Sequence, residues 1–241
     1  MPPTATITSP DTAMITSLWL DITRFCTLAC THCYNRSGVT GGHGTMTAND
    51  WLTVIDDAAA HGVRTVRIIG GEPTSYPALP DLVDRALAVG LDVHIFSNLV
   101  HISDQMWTLF ERPGVSLATS YYSSVPAEHE QVTGRRGSHA RTRANLVEAL
   151  RRSIPLRGAL IDTGTADVHA ARADLLGLGV TTLRVDKVRA FGRAAGGDGA
   201  GPCGRCGLGR AAIQPDGTLT PCVMTSDRDG GNVRDTPLAL L

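Results

Sequence analysis

Short apolar runs alternate with longer amphipathic segments between residues 17 and 188. The apolar runs have the length and the β-branched content of strands, at 17–23, 63–69, 91–97, 115–120, 156–161 and 182–188. The segments between them have helical periodicity, at about 47–61, 78–89, 103–111, 139–152 and 168–178. Strand–helix alternation of this kind predicts an α/β fold with parallel strands and helical crossovers, and six such units predict a partial (β/α)6 barrel.

Composition divides the chain into three parts. Residues 1–16 are rich in Thr, Pro and Ala without periodicity, and we predict a flexible N-terminal tail there. Residues 17–191 hold the predicted barrel. Glycine then becomes frequent, which predicts a linker, and the rest of 192–241 is too short for a hydrophobic core of its own. Such a segment needs a metal or a disulfide to hold it together.

Composition and charge exclude several classes of function. The chain has 241 residues, 22 basic against 23 acidic, and a formal net charge of −1, which argues against a nucleic-acid partner held by a broad positive surface. Arginines crowd residues 135–157, where we predict a solvated helix face. No apolar run approaches the roughly 20 residues that span a bilayer, and the N-terminus lacks the features of a signal peptide. We therefore expect a cytoplasmic protein with reduced cysteines.

The six cysteines form two groups of three, and the first group is the strongest chemical signal. Cys26, Cys30 and Cys33 lie in one short segment directly after the first predicted strand. Three thiolates on a 4Fe–4S cluster leave one iron open to another ligand, which suits a reaction site. A zinc site is the alternative, with His32 as a possible fourth ligand, although zinc sites usually pair their cysteines as CxxC.

The spacing Cys26-x3-Cys30-x2-Cys33, with Tyr34 directly after it, resembles the signature of the radical S-adenosylmethionine (radical SAM) enzymes. The resemblance implies that the open iron of a 4Fe–4S cluster chelates SAM. It also implies reductive cleavage of SAM to methionine and a 5′-deoxyadenosyl radical, which abstracts hydrogen from the substrate. The implied fold is a TIM-like partial barrel with its site at the C-terminal strand ends, and the implied electron donor is a protein such as flavodoxin or ferredoxin.

Two further segments resemble SAM contacts of the family. The run Gly70-Gly71-Glu72-Pro follows the second predicted strand and resembles the GGEP motif, which implies that Glu72 and the backbone of the two glycines contact the methionyl ammonium. A plain glycine turn with a solvated glutamate is the alternative. Arg135 or its neighbour Arg136 lies where relatives often place an arginine near the SAM carboxylate.

The ends of the third and fourth predicted strands carry short polar side chains. Ser97 and Asn98 resemble the family's ribose contacts, and Ser120 occupies the matching position of the fourth strand. Relatives often read Ser-Leu-Asp there, whereas this chain continues with Tyr121 and Tyr122. We treat these two tyrosines as candidates for facing the substrate, against the alternative that they are half-buried packing residues.

The second cysteine group consists of Cys203, Cys206 and Cys222, with a turn signal at 215–217 that predicts a hairpin between the last two. This spacing, and the later run 231–233, resemble the SPASM extension of radical SAM proteins. Three cysteines fit its shorter "twitch" form, which implies one auxiliary 4Fe–4S cluster. A zinc ion bound by these cysteines is the alternative.

Relatives with such extensions often modify ribosomally made peptides, so the resemblance favours a peptide-modifying enzyme of natural-product (RiPP) biosynthesis that installs a crosslink or an epimerised residue. With about 16 residues before the barrel, we expect a separate peptide-recognition protein instead of a leader-binding domain. Two alternatives stay open. One is a dehydrogenase or other enzyme acting on a small molecule such as an aminocyclitol or a sugar. The other is a non-catalytic iron–sulfur carrier or sensor.

Overall fold

The computed structural model describes residues 15–225 and 228–238, so the predicted tail 1–16 lies almost entirely outside the described residues. The strands are β1 (Ser17–Asp21), β2 (Thr65–Ile69), β3 (Asp92–Phe96), β4 (Val115–Tyr121), β5 (Leu156–Asp162), β6 (Leu183–Lys187), β7 (Arg210–Ile213) and β8 (Leu219–Thr220). The helices are α1 (Ala48–Ala60), α2 (Leu79–Ala88), α3 (Asp104–Phe110), α4 (Pro126–Thr133), α5 (Ser138–Arg151) and α6 (Val168–Gly177). No helix among these residues is long and apolar enough to cross a bilayer.

The strands form a single sheet in the order β6-β5-β4-β3-β2-β1-β7-β8. Every neighbouring pair from β6 to β7 is parallel, and only β8 runs antiparallel, against β7. The six predicted strands and the prediction of a partial barrel are therefore confirmed. The predicted hairpin is present as β7 and β8, but β7 also pairs along β1, with Ser17 opposite Arg210 and Leu20 opposite Ile213. The C-terminal segment thus extends the sheet of the barrel.

Alternation along each strand separates the core from the barrel interior. In β1, Leu18 and Leu20 are fully buried in one hydrophobic core with the helices, including Trp51 of α1. Trp19 lies between them and faces the other side of the sheet. Parallel strands present the same face at matching positions. The strand residues that alternate with the core residues therefore point into the barrel interior. These residues shape the site.

Helix boundaries follow the expected chemistry with one exception. The helix α1 begins with a capping box in which Thr47 accepts from the N–H of Asp50, and the Asp50 carboxylate accepts from the N–H of Thr47. The unpredicted helix is α4. It has Pro126 at its first turn, which favours a helix start, but its sequence is mostly polar and has no apolar stripe.

Candidate active site

A central cavity of about 380 Å³ opens inside the barrel and is lined by residues of both cysteine groups. The first group lies on the segment that follows β1, which we call the cysteine loop (residues 22–41). This loop leaves the sheet at the edge where the C-terminal ends of the parallel strands meet, the usual position of a site in barrel enzymes. Strand-end residues from β2 to β6 complete the lining at this edge.

Backbone hydrogen bonds hold the cysteine loop against α4. The N–H of Ala29 donates to the carbonyl of Thr133 at 2.9 Å, and the N–H of Thr31 donates to Val132 at 2.9 Å. The loop also closes on itself, since the N–H of Cys26 donates to Gly38 at 3.1 Å. The helix that sequence reasoning missed is therefore the support of the loop that carries the first cysteine group.

The three thiols of the first group line the same cavity and influence one another. Burial raises the pKa of Cys26 to about 11, and the nearby Glu72 and Cys33 add to the shift. Burial raises the pKa of Cys30 to about 12, followed by the effects of Cys26 and Cys33. Buried thiols become good ligands when a metal centre stabilises the thiolate, so the donor set fits an iron–sulfur cluster.

Two polar groups already point at the Cys26 sulfur. The N–H of Leu28 donates to Sγ at 3.4 Å, and the Nδ2 of Asn98 donates to Sγ at 3.7 Å. Such donors stabilise a thiolate more than a thiol. Among the residues that the structure describes, no three His, Cys, Asp or Glu side chains lie close enough together to hold a single metal ion. The ligand role of each cysteine group stays a prediction.

The two glycines after β2 allow close contact between that strand and the cysteine loop. A Cβ atom on Gly71 would lie 2.2 Å from the carbonyl oxygen of Phe25, and one on Gly70 would lie 2.6 Å from that of Thr23. In the same contact, the N–H of Gly71 donates to Thr23 at 2.7 Å and the N–H of Glu72 donates to Phe25 at 2.8 Å. Both glycines line the central cavity, where they were predicted to contact SAM.

The carboxylate of Glu72 is buried and serves as a bridge between strand ends. One oxygen accepts from the N–H of Asn98 at 2.8 Å, and the other accepts from the N–H and the hydroxyl of Thr74 at 3.2 and 2.9 Å. Burial raises the pKa of Glu72. The carboxylate faces a separate cavity of about 120 Å³ instead of the central one. Its predicted contact with the SAM ammonium stays a prediction, beside this structural role.

The remaining predicted SAM contacts divide into two sets. Ser97, Asn98 and Ser120 line the central cavity together with the first cysteine group. Arg135 is outside that lining, where its Nη1 donates to the carbonyl of Thr27 at 2.9 Å. Arg135 therefore braces the cysteine loop from behind. Its predicted contact with the SAM carboxylate stays untested.

The two candidate tyrosines point in different directions. Tyr122 lines the central cavity, whereas the hydroxyl of Tyr121 points away from it, 2.8 Å from His139 Nε2 and 2.6 Å from an oxygen of Asp174. Tyr121 is the last residue of β4 and Tyr122 follows it directly, and neighbouring side chains of an extended chain face opposite sides. The geometry favours Tyr122 over Tyr121 as the residue that faces the substrate, and both roles stay predictions.

His129 of α4 also lines the central cavity, beside Tyr122. Its ring centroid lies 5.2 Å from those of both Tyr121 and Tyr122. Burial, followed by the charge of His139, lowers the pKa of His129 to about 4, so the ring is neutral near pH 7. Its Nδ1 is buried without a hydrogen-bond partner among the described residues. The cavity wall therefore offers a neutral imidazole.

The second cysteine group reaches the central cavity from the opposite end of the sheet. Cys206 precedes the N-terminal end of β7, and Cys222 follows β8, which returns toward that same end. Cys203 also lines the cavity. Burial raises the pKa of Cys222, and Cys206 and Cys203 add to the shift, so these three thiols are neighbours. The three cysteines therefore share one end of the cavity, and their role as ligands of an auxiliary cluster stays a prediction.

The run 231–233 packs on the turn of the β7–β8 hairpin. The Nδ2 of Asn232 donates to the carbonyl of Asp216 at 2.9 Å, and the N–H of Val233 donates to Gly217 at 3.0 Å. Gly217 has a φ of +90°, a conformation that favours glycine. The motif resembling the end of a SPASM extension therefore fixes the hairpin that carries Cys222.

Arg193 is a site residue that the sequence did not reveal. Its Nη1 donates to the carbonyl of Cys30 at 2.8 Å, and its Nη2 donates to the carbonyls of Ser37 and Arg36. Its own N–H donates to Cys33 at 3.0 Å. The glycine-rich segment thus supplies a clamp on the cysteine loop. The surrounding Gly and Ala residues gave no signal of this role.

The partial barrel, the loop of three cysteines at its C-terminal edge and the glycine contact after β2 define a SAM-dependent iron–sulfur class of protein. The sequence model of the Radical SAM superfamily matches residues 20–167, more than half of the chain. The chain belongs to the radical SAM superfamily. Membership implies a 4Fe–4S cluster and SAM as cofactors.

Three relatives illustrate the similarity. The chain is 30% identical over 137 residues to the PqqA peptide cyclase of Ruegeria pomeroyi, covering 56% of this chain and 37% of that protein. It is 27% identical over 191 residues to the sporulation killing factor maturation protein SkfB of Bacillus subtilis, covering 78% and 46%. The fold resembles SuiB of Streptococcus suis bound to S-adenosylmethionine, with a TM-score of 0.77 and 14% identity over 94% of this chain and 65% of that one. The chain thus spans less than half the length of the two curated relatives.

Proposed function

We propose that this radical SAM enzyme modifies a ribosomally synthesised peptide by abstracting hydrogen from it in the central cavity. The observation that carries the proposal is that both cysteine groups and the strand-end polar residues line one cavity. The names of the relatives support the choice of substrate. They include a PqqA peptide cyclase, and SuiB has also been solved bound to the precursor peptide SuiA.

Residues of this chain divide the work between cofactor and substrate. Cys26, Cys30 and Cys33 hold the SAM-binding 4Fe–4S cluster, which when bound supplies the electron for reductive cleavage of SAM. Gly70, Gly71, Ser97, Asn98 and Ser120 line the adjoining wall and contact SAM. Tyr122 and His129 face the remaining space and orient the peptide.

The second cysteine group holds an auxiliary 4Fe–4S cluster in the segment 192–241. The alternative is a zinc ion bound by Cys203, Cys206 and Cys222. An external protein such as flavodoxin or ferredoxin supplies electrons, and a separate recognition protein presents the precursor peptide. Because the two cysteine groups enter from opposite ends of the sheet, the substrate lies between them.

The test uses the anaerobically reconstituted protein with SAM and a reductant, and it measures 5′-deoxyadenosine by mass spectrometry. We expect cleavage that rises with the cognate peptide, together with a peptide mass change such as the loss of two hydrogens. Replacing Cys26, Cys30 and Cys33 together by Ala abolishes cleavage. Iron content of about eight per chain falls to about four in the Cys203/Cys206/Cys222 triple variant.

Three outcomes would contradict parts of the proposal. Unchanged SAM cleavage without the first cysteine group would refute the assignment of the cluster. One zinc per chain, with iron unaffected by loss of the second group, would make that group a zinc site. If an aminocyclitol or a sugar alcohol stimulates turnover and peptides encoded by neighbouring genes do not, the substrate is a small molecule and not a peptide.

A further inference from the structure

The interior of the barrel carries arginine side chains that the proposed reaction does not use. We define the arginine cluster as Arg67 on β2, Arg157 on β5, Arg184 on β6 and Arg210 on β7. Arg157, Arg184 and Arg210 line the central cavity. Burial, followed by the positive charges of Arg157 and Arg210, lowers the pKa of Arg67. The four guanidinium groups therefore share one region of space.

Aromatic rings hold two of these arginines in place. The ring centroids of Trp19 and Phe96 lie 4.8 Å apart in the barrel interior. The Cζ of Arg67 lies 5.6 Å from the Trp19 ring, and that of Arg157 lies 5.4 Å from the Phe96 ring. The Nε of Arg67 also donates to the hydroxyl of Ser17 at 2.8 Å. Stacked and hydrogen-bonded guanidinium groups are preorganised to bind an anion.

The arginine cluster has almost no counter-charge of its own. Within the described part of the chain, no carboxylate forms an ion pair with Arg67, Arg157 or Arg210. Asp186 is the one acidic residue among the described residues that line the central cavity. Its carboxylate pairs with Arg184 at 3.6 Å and with Arg189 at 2.8 Å. A chain with a net charge of −1 therefore concentrates positive charge at this place.

Such an arrangement is unfavourable for folding alone. Like charges repel one another, and the half-buried guanidinium groups of Arg67, Arg157 and Arg210 have no ion-pair partner among the described residues to offset their desolvation; Arg67 has only neutral partners, Ser17 and His94. Burial, followed by the charge of Arg184, lowers the pKa of Arg157, which reflects this cost. A negatively charged ligand would supply the missing compensation. Planar carboxylates match the two-pronged geometry of guanidinium groups.

We propose that the arginine cluster binds carboxylate groups of the peptide substrate, so that the enzyme selects a segment rich in Asp or Glu, or a free C-terminus. This inference rests on the proposed function, and it names the chemistry that the peptide presents to the cavity. A cavity of about 380 Å³ is too small for a folded domain, so the substrate group that reaches the arginine cluster is a side chain or a chain end.

Strand register separates the arginine cluster from the predicted SAM contacts. Arg67 is the third residue of β2 and pairs with Trp19 of β1, whereas Gly70 follows the end of β2. Arg210 is the first residue of β7, opposite Ser17. The cluster therefore lies deeper along the strands than the loops at their C-terminal ends. This placement leaves it available to a substrate while SAM occupies the edge.

The test measures binding by calorimetry on the reconstituted protein with saturating SAM, at low ionic strength because salt screens such contacts. The probes are triglutamate, triglutamine and inorganic phosphate. We expect triglutamate to bind at least about tenfold more tightly than triglutamine, since each charge-assisted hydrogen bond contributes about a factor of ten. Arg157→Gln and Arg210→Gln each weaken triglutamate binding by about tenfold or more. The matched control is Arg141→Gln, an exposed arginine of α5 outside the cavity, and it binds as wild type.

The two cluster variants lie on different strands, so misfolding of one leaves the other as the test, and thermal unfolding of each reports its integrity. Equal binding of triglutamate and triglutamine, or unchanged binding in folded variants, would overturn the inference. Phosphate that binds more tightly than triglutamate, with the same dependence on Arg157 and Arg210, would make this a phosphate site instead. Because no turnover is required, failure of SAM cleavage with peptides would count against the proposed function and leave this result standing.

Discussion

Removal of the Arg193 side chain tests whether the glycine-rich segment controls the cysteine loop. In Arg193→Met the hydrogen bonds to the carbonyls of Cys30, Ser37 and Arg36 are lost, while the N–H of residue 193 still donates to Cys33. Hydrogen bonds from a charged donor contribute about 1.5–3 kcal/mol when buried. The Arg193 side chain is largely exposed, so we discount the total to about 1–2 kcal/mol.

That free energy corresponds to a loop that opens roughly fivefold to thirtyfold more often, at about 1.4 kcal/mol for each factor of ten. Amide hydrogen exchange of residues 26–38 measures the opening directly, and iron content after reconstitution measures its consequence. Arg193→Lys keeps the charge but loses the forked geometry, so its exchange rate and iron content should lie between those of wild type and Arg193→Met. The control is Arg172→Met, an exposed arginine on α6. Exchange in the loop that is as slow in Arg193→Met as in the control would refute the reasoning.

Two further predictions concern His129 and Gly71. Burial lowers the pKa of His129 to about 4 from an ordinary 6.5, so the stability that its neutral ring contributes is present above pH 6.5 and is lost as the pH falls toward 4. Between pH 7 and pH 5, the free energy of unfolding in urea should therefore fall by about 1–2 kcal/mol less in His129→Phe than in wild type. An equal fall in the two proteins would contradict this. Gly71→Ala should destabilise by about 1–3 kcal/mol or more and reduce iron binding, because its Cβ would meet the carbonyl of Phe25. The control Gly42→Ala, with no atom within 4 Å of its Cβ, should behave as wild type.

The parts of the fold that depend on local pattern could be predicted from the sequence. The apolar runs of β1 to β6 and the capping box at Thr47 are each encoded within a few residues, and so is the cysteine spacing. The pairing of β7 with β1 joins residues almost the whole chain apart, and a local pattern carries no information about such a partner. The helix α4 was not predicted because its sequence is mostly polar and has no apolar stripe, and its contacts with the cysteine loop run through its backbone carbonyls.

The site was predictable where a motif carries the chemistry and unpredictable where a strand face decides it. The cysteines, Gly71 and Ser97 all line one cavity, and their roles toward a cluster and SAM stay predictions. Arg157 was expected on a solvated helix face, but it lies on β5 and faces the cavity. In a closed or nearly closed sheet the inner face is also polar in places, so alternation of apolar and polar residues cannot distinguish an interior position from an exposed one. Curvature of the sheet supplies that information, and it is a property of all the strands together.

The pairing of β7 with β1 has a consequence for how this chain can be cut or recombined. A cut or a recombination junction in the glycine-rich stretch would separate β7 from β1. The backbone of β1 would then lose one of its two neighbouring strands and become exposed. Such a junction would also cut the chain beside Gly192, where a Cβ would lie 2.2 Å from the carbonyl of Cys33. Chimaeras that exchange the C-terminal segment with a relative must therefore transfer β1, the cysteine loop and β7 as one unit. These segments form one structural unit, although β1 and β7 lie about 190 residues apart along the chain.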